Sequence, residues 1–143
     1  MKVFPNIILH GAVDQAELAA GYQRMDAFLI CYDVEKNQSK CTDAHRVMEF
    51  LSTGKVVISN NLSAYQSCGG LLAMVKERDH NRALPGLFKE VISRLPEYNS
   101  NPLSEKRRAM AYAHSYRRNI EKIDAVLAGL QVEKMPKAKE VHA

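Results

Sequence analysis

The sequence predicts an α/β domain, with a parallel sheet of about four strands flanked by helices and a long C-terminal helix. Three observations carry this. Up to Ser59 the pattern runs strand, helix, strand, helix, strand, the order that builds parallel sheets. Asp26–Tyr32 is nearly continuously apolar, as in a strand covered on both faces. Val56-Val57-Ile58 is a β-branched run that follows a helix-ending glycine, Gly54.

At 143 residues the chain is one domain by length and long enough to bury a core. Residues 1–131 are expected to form this single α/β domain, and the lysine-rich 132–143 a flexible tail. With 46% hydrophobic and 25% charged residues, the composition is that of a soluble globular protein. No apolar run reaches the length of a membrane span, and MKVFPNIILHGAVDQ lacks the shape of a signal peptide. A cytoplasmic location is expected. Cys31, Cys41 and Cys68 are odd in number with no CxxC spacing, which points to reduced thiols rather than a disulfide framework or zinc site.

The net charge of +4 is unevenly placed. Residues 1–101 hold 11 basic and 11 acidic side chains, whereas 102–143 hold 9 and 5. A solvated helix face is the plainer reading of that excess. Contact with the inner face of a membrane is a secondary option, and nucleic acid is not an expected partner.

Taken in order, Asn6–Gly11 reads as a short strand ending at a glycine. Asp14 and Glu17 form D-x-x-E, close to a capping box, for a helix running to about Arg24 with the stripe Leu18, Tyr22 and Met25. The apolar strand Asp26–Tyr32 follows. Asp33–Asp43 is polar and irregular, and loops at strand carboxyl ends are where α/β sheets bind ligands.

Cys41–Asn60 reads as loop, short helix and buried strand. Thr42 or Asp43 can cap the helix, and Ala44, Val47, Met48 and Leu51 make its apolar face. His45, Glu49 and Ser52 lie opposite, with Arg46 at the edge. Positive side chains in a first turn oppose the helix dipole unless an anion docks there, and a phosphate would resolve the conflict.

Asn60–Gly70 reads as a loop or short helix, and Leu71–Val75 as a strand whose composition also suits a helix. Lys76–Arg82 is turn-like. Leu84–Leu95 is a helix with Pro85 in its first turn, and Pro96–Pro102 breaks it. Ser104 is a candidate N-cap for a long terminal helix. Its stripe, Ala109, Ala113, Tyr116, Ile120, Ile123, Leu127 and Leu130, is expected to pack on its own domain, with an interface role as the alternative.

His45–Val57, HRVMEFLSTGKVV, resembles the signature (H/N)-K-x-x-E-Y-L-x-x-G-K-x-V of the donor-binding C-terminal domain of group 1 glycosyltransferases of the GT-B fold. NIILHG is similar to that family's N-V-x-x-x-G strand and MDAFL to its aDvfl strand. KRRAMAYAHSYRRNIEKI resembles its closing helix, with Met110 in place of the usual aromatic. The resemblance implies a truncated Rossmann-like sheet and, as donor substrate rather than cofactor, a nucleotide-diphosphate sugar. Glu49 then matches the glutamate that binds ribose hydroxyls. Arg46 matches the basic residue, and His45 and Asp43 complete the expected site. No cofactor and no metal are expected.

Three departures qualify that expectation. Cys41 stands where many relatives carry a second glutamate, and a thiol cannot hold a sugar's hydroxyls as a carboxylate does. The family's first two strands, with phosphate-binding arginine and lysine, have no counterpart here. Nor has its N-terminal acceptor domain, so transfer by this chain alone is not expected. A missing acceptor domain or a second copy of the chain is an expected partner. The alternative is a non-catalytic relative that acts as a binding module. Among other residues, His10 ends a strand and could face a crevice, though a structural role is the plainer reading. Asp33, Glu35 and Asp43 have no spacing that brings them together.

Overall fold

The computed structural model describes residues 4–37 and 46–133. At its centre is β2, Val56–Ser59, with all four residues buried. β-Branched residues suit such a strand because they pack well on a pleated surface covered on both sides. β1, Ala27–Ile30, and β3, Leu72–Met74, both pair with it in parallel, in the order β1-β2-β3. Ala27 is in register with Val56 and Val57 with Leu72.

The helices are α1, Gln15–Gln23; α2, Val34–Asn37; α3, Arg46–Ser52; α4, Leu84–Ser93; α5, Leu95–Tyr98; α6, Asn101–Ala113; and α7, Tyr116–Glu133. Side chains alternate across a strand, so the sheet builds two cores. On one face Phe28, Ile30, Val57 and Leu72 meet Val47, Phe50 and Leu51 of α3 and Ala111 of α6. On the other, Val56, Ile58 and Val75 meet Leu84 and Val91 of α4. Each fully buried aliphatic side chain contributes roughly 1.5–3 kcal/mol.

Buried and half-buried polar side chains tie the sheet at both ends. At the amino ends, Asn99 accepts from the Val56 N–H and donates to the Asp26 carbonyl, both at 2.8 Å. Arg107 is fully buried and donates to the carbonyls of Leu71, Gly54 and Tyr98 at 2.8, 3.1 and 2.7 Å. At the carboxyl ends, Asn60 accepts from the Tyr32 N–H at 2.5 Å and donates to Asn81, which donates to the Tyr32 carbonyl at 2.7 Å.

Local signals read from sequence account for several boundaries. Asp14 Oδ1 accepts from the Glu17 N–H at 2.8 Å and caps α1. Gly54 ends the turn after α3 with φ +82, and a Cβ there would lie 2.8 Å from the Arg108 guanidinium. Glycine is therefore needed twice over, for its conformation and for its bareness.

The structure corrects four expectations. Among the described residues three strands form, not about four. Asn6–Gly11 is irregular, with Ile7, Ile8 and Leu9 exposed. A turn closed by the Ile7 N–H on the Phe4 carbonyl, with Pro5 inside it, takes the start of that run out of extended conformation. Too little is left to form a strand. β1 is covered only in part on its second face: Ala27 packs on the second core, but Leu29 is 51% exposed, because α4 packs mainly on β2 and β3.

The expected terminal helix is two helices. The first starts at Asn101 with Pro102 in its first turn, and the break falls at His114–Ser115. There Ser115 Oγ accepts from the Arg118 N–H at 3.5 Å, in the manner of an N-cap. From Tyr116 to Gly129 every residue of α7 is exposed, so the apolar stripe does not pack on the domain. α7 runs to Glu133, and residues 134–143 of the expected tail lie outside the described residues. Among the described residues no helix is long and apolar enough to cross a membrane.

Candidate functional site

The candidate site is built on α3. Val47, Phe50 and Leu51 are buried, which turns Arg46, Glu49 and Ser52 outward. The helix leads from the carboxyl end of β1 back to the amino end of a parallel neighbour. Its first turn, which holds Arg46 and Glu49, is therefore level with the strand carboxyl ends.

Glu49 borders two concavities. One, of about 220 Å³, lies between α1 and α3 and includes Gln15, Tyr22 and Ser52. The other is a groove of about 910 Å³, within the size range of small-molecule sites. Met48, Glu49, Ser52 and Tyr65 line it on one side. Arg108, Tyr112, His114, Tyr116 and Asn119, from around the α6–α7 break, line the other. No ion pair engages Glu49 among the described residues, so its carboxylate is available as an acceptor.

The opposite wall supplies different chemistry. Arg108 donates to the Thr53 carbonyl at 3.0 Å, which fixes the guanidinium over Gly54. Arg118, which does not itself line the groove, lies with its guanidinium over the Tyr112 ring at 5.1 Å, donates to the Tyr112 hydroxyl at 3.3 Å and pairs with Glu121 at 2.7 Å. Asn119 donates to the His114 carbonyl at 3.3 Å, and His114 Nδ1 donates to the Met110 carbonyl at 2.9 Å. The groove thus holds a carboxylate acceptor, Glu49, together with the rings of Tyr112 and Tyr116 and the cation of Arg108. A polyhydroxylated ligand with a flat ring or a negative charge would find partners on both walls.

Of the four residues expected at the site, Glu49 is exposed and borders both concavities. Arg46 is exposed, and neither concavity that Glu49 lines has it in its walls. Asp43 and His45 lie outside the described residues. The wall from Tyr112 to Asn119 escaped the sequence reading, which took this stretch as the middle of one helix. The available signal was Ser115, a residue type that caps helices, three positions before Arg118.

The remaining candidates lie elsewhere. Asp33 and Glu35 border a concavity of about 410 Å³ at the exit of β1, where Asp33 pairs with Lys36 at 3.3 Å. His10 is exposed and lines a small concavity of about 120 Å³ beside α1. Cys31 and Cys68 are free thiols. Among the described residues no group of three or more His, Cys, Asp or Glu side chains could hold a metal ion. Comparison with protein-family models, curated proteins and solved structures gave no match.

Proposed function

We propose that this chain binds a nucleotide-diphosphate sugar, as the donor-binding half of a group 1 glycosyltransferase of the GT-B type. The observation that carries the reading is Glu49. It is a carboxylate with no ion pair among the described residues, in the first turn of α3, level with the strand carboxyl ends and bordering a groove of about 910 Å³. A carboxylate so placed accepts from two neighbouring hydroxyls of a ribose. The aromatic and cationic wall opposite suits the rest of such a ligand. Three parallel strands in chain order, with helices on both faces, agree with a truncated Rossmann-like sheet.

In this reading the diphosphate docks before the amino end of α3, where His45 and Arg46 supply positive charge that stabilises the departing nucleoside diphosphate. The acceptor hydroxyl is held by another domain or another chain, because transfer requires both reactants in one geometry. A module that binds the sugar nucleotide without transferring the sugar is the second reading. Cys41 favours it, since a thiol replaces the carboxylate that would hold the sugar's hydroxyls.

The experiment is a thermal-denaturation screen of the purified chain with uridine, guanosine and adenosine diphosphates and their hexose derivatives. One of them should raise the melting temperature, and Glu49→Ala should lose the shift. No shift with any of them overturns the proposal. Sugar transfer by the bound chain, assayed with and without added acceptor domain, separates the two readings.

A further inference from the structure

α7 carries Tyr116, Ile120, Ile123 and Leu127 at steps of four and three, the spacing of one apolar seam along a helix. All four are exposed, Tyr116 at 89%, and Val126 beside them is exposed as well. In proteins helical stability comes mostly from packing an apolar face. Arg117 and Asp124 flank the seam on the same side, seven residues apart. Neither has an ion-pair partner among the described residues.

We propose that α7 pairs antiparallel with α7 of a second copy of this chain. Charge selects both the partner and the direction. Across a twofold axis that sets Ile120 level with Ile123 of the second copy, Tyr116 falls level with Leu127 of that copy. Arg117 then flanks Asp124 of the second copy, and symmetry makes the pair twice. A parallel pairing sets Asn119 against Asp124 and Val126 against Gln131 at the flanking positions, which forms no ion pair. A membrane surface is disfavoured, because α7 has as many acidic residues (Glu121, Asp124, Glu133) as basic ones (Arg117, Arg118, Lys122).

The test is sedimentation equilibrium of the full chain and of R117E, D124R and I123D, each at an exposed position where the fold is not at stake. The wild type should dimerise with concentration, and I123D should weaken the dimer at least about a hundredfold. R117E and D124R alone each make two like-charge pairs and should weaken it roughly tenfold. An equimolar mixture of R117E and D124R places Glu against Arg and Asp against Arg, so the heterodimer should regain wild-type affinity. A wild type that stays monomeric overturns the proposal. A dimer indifferent to I123D does so too, by placing the contact elsewhere. Failure of the mixture to recover overturns the antiparallel direction.

Discussion

The ring of Phe28 on β1 lies on the ring of Phe50 on α3, with centroids 4.3 Å apart and planes within 6° of parallel. Tyr22 of α1 meets both rings edge-on, at 5.5 and 5.1 Å. This triangle holds the inner face of α3 and so aims Glu49 outward. Phe50→Ala should lower stability by about 3–5 kcal/mol, the usual range for deleting a buried ring. Urea unfolding measures it, and a loss below about 1 kcal/mol would show that α3 is held by something else.

Glu49 contributes nothing to that packing. Glu49→Gln should leave stability within about 0.5 kcal/mol of wild type, as surface substitutions usually do. Under the proposed function it should weaken binding of the nucleotide-diphosphate sugar about tenfold or more, because the charged acceptor is lost while the shape is kept. Isothermal titration calorimetry reads both proteins. Equal affinities would move the ribose away from α3.

Arg107→Met should lower stability by at least about 3 kcal/mol, since three carbonyls lose their charged donor while the volume stays filled. Burial lowers the pKa of this guanidinium below its ordinary value. Arg107→Lys should recover only part of the loss, because a single ammonium does not span three acceptors. Denaturant midpoints of the two variants decide it. Full recovery in the lysine variant would mean that charge alone, not the guanidinium fork, matters there.

The Tyr98 hydroxyl donates to Glu90 Oε1 at 2.9 Å. That bond, followed by partial burial and the charge of Glu90, raises the phenol above its ordinary 10.0. The sign follows from linkage. The raised group contributes stability that is intact below the ordinary tyrosine value and is lost as pH rises through the folded-state value. Phenolate absorbance of wild type minus Tyr98→Phe should therefore show a midpoint above 10.0, and Glu90→Gln should bring it back down. An unshifted midpoint would remove the bond from the solution structure.

Strong local signals were legible in the sequence. The Asp14 cap, the Gly54 turn, the Val56–Ser59 strand and the outward Glu49 each depend on neighbouring residues or a clear apolar period. What escaped depends on distant partners. The apolar run Asn6–Leu9 looks like a strand by composition, yet a strand also needs a neighbour and a cover. Likewise, the break at Ser115 leaves the helical period nearly intact, so the groove wall around Tyr112–Asn119 could not be seen. Arg107 reads as one of several basic residues on a helix, and only the folded chain shows its guanidinium fully enclosed.

The clasp of Asn99 and Arg107 has a consequence for how the chain is made. All three strands are finished by Met74, but the side chains that satisfy the Val56 N–H and the carbonyls of Asp26, Gly54 and Leu71 are translated 25 to 33 residues later. A nascent chain paused on the ribosome before α6 has emerged holds a sheet with unmet backbone groups along one rim. Protease resistance should therefore arise late in synthesis, in one step, once the 99–107 segment clears the exit tunnel.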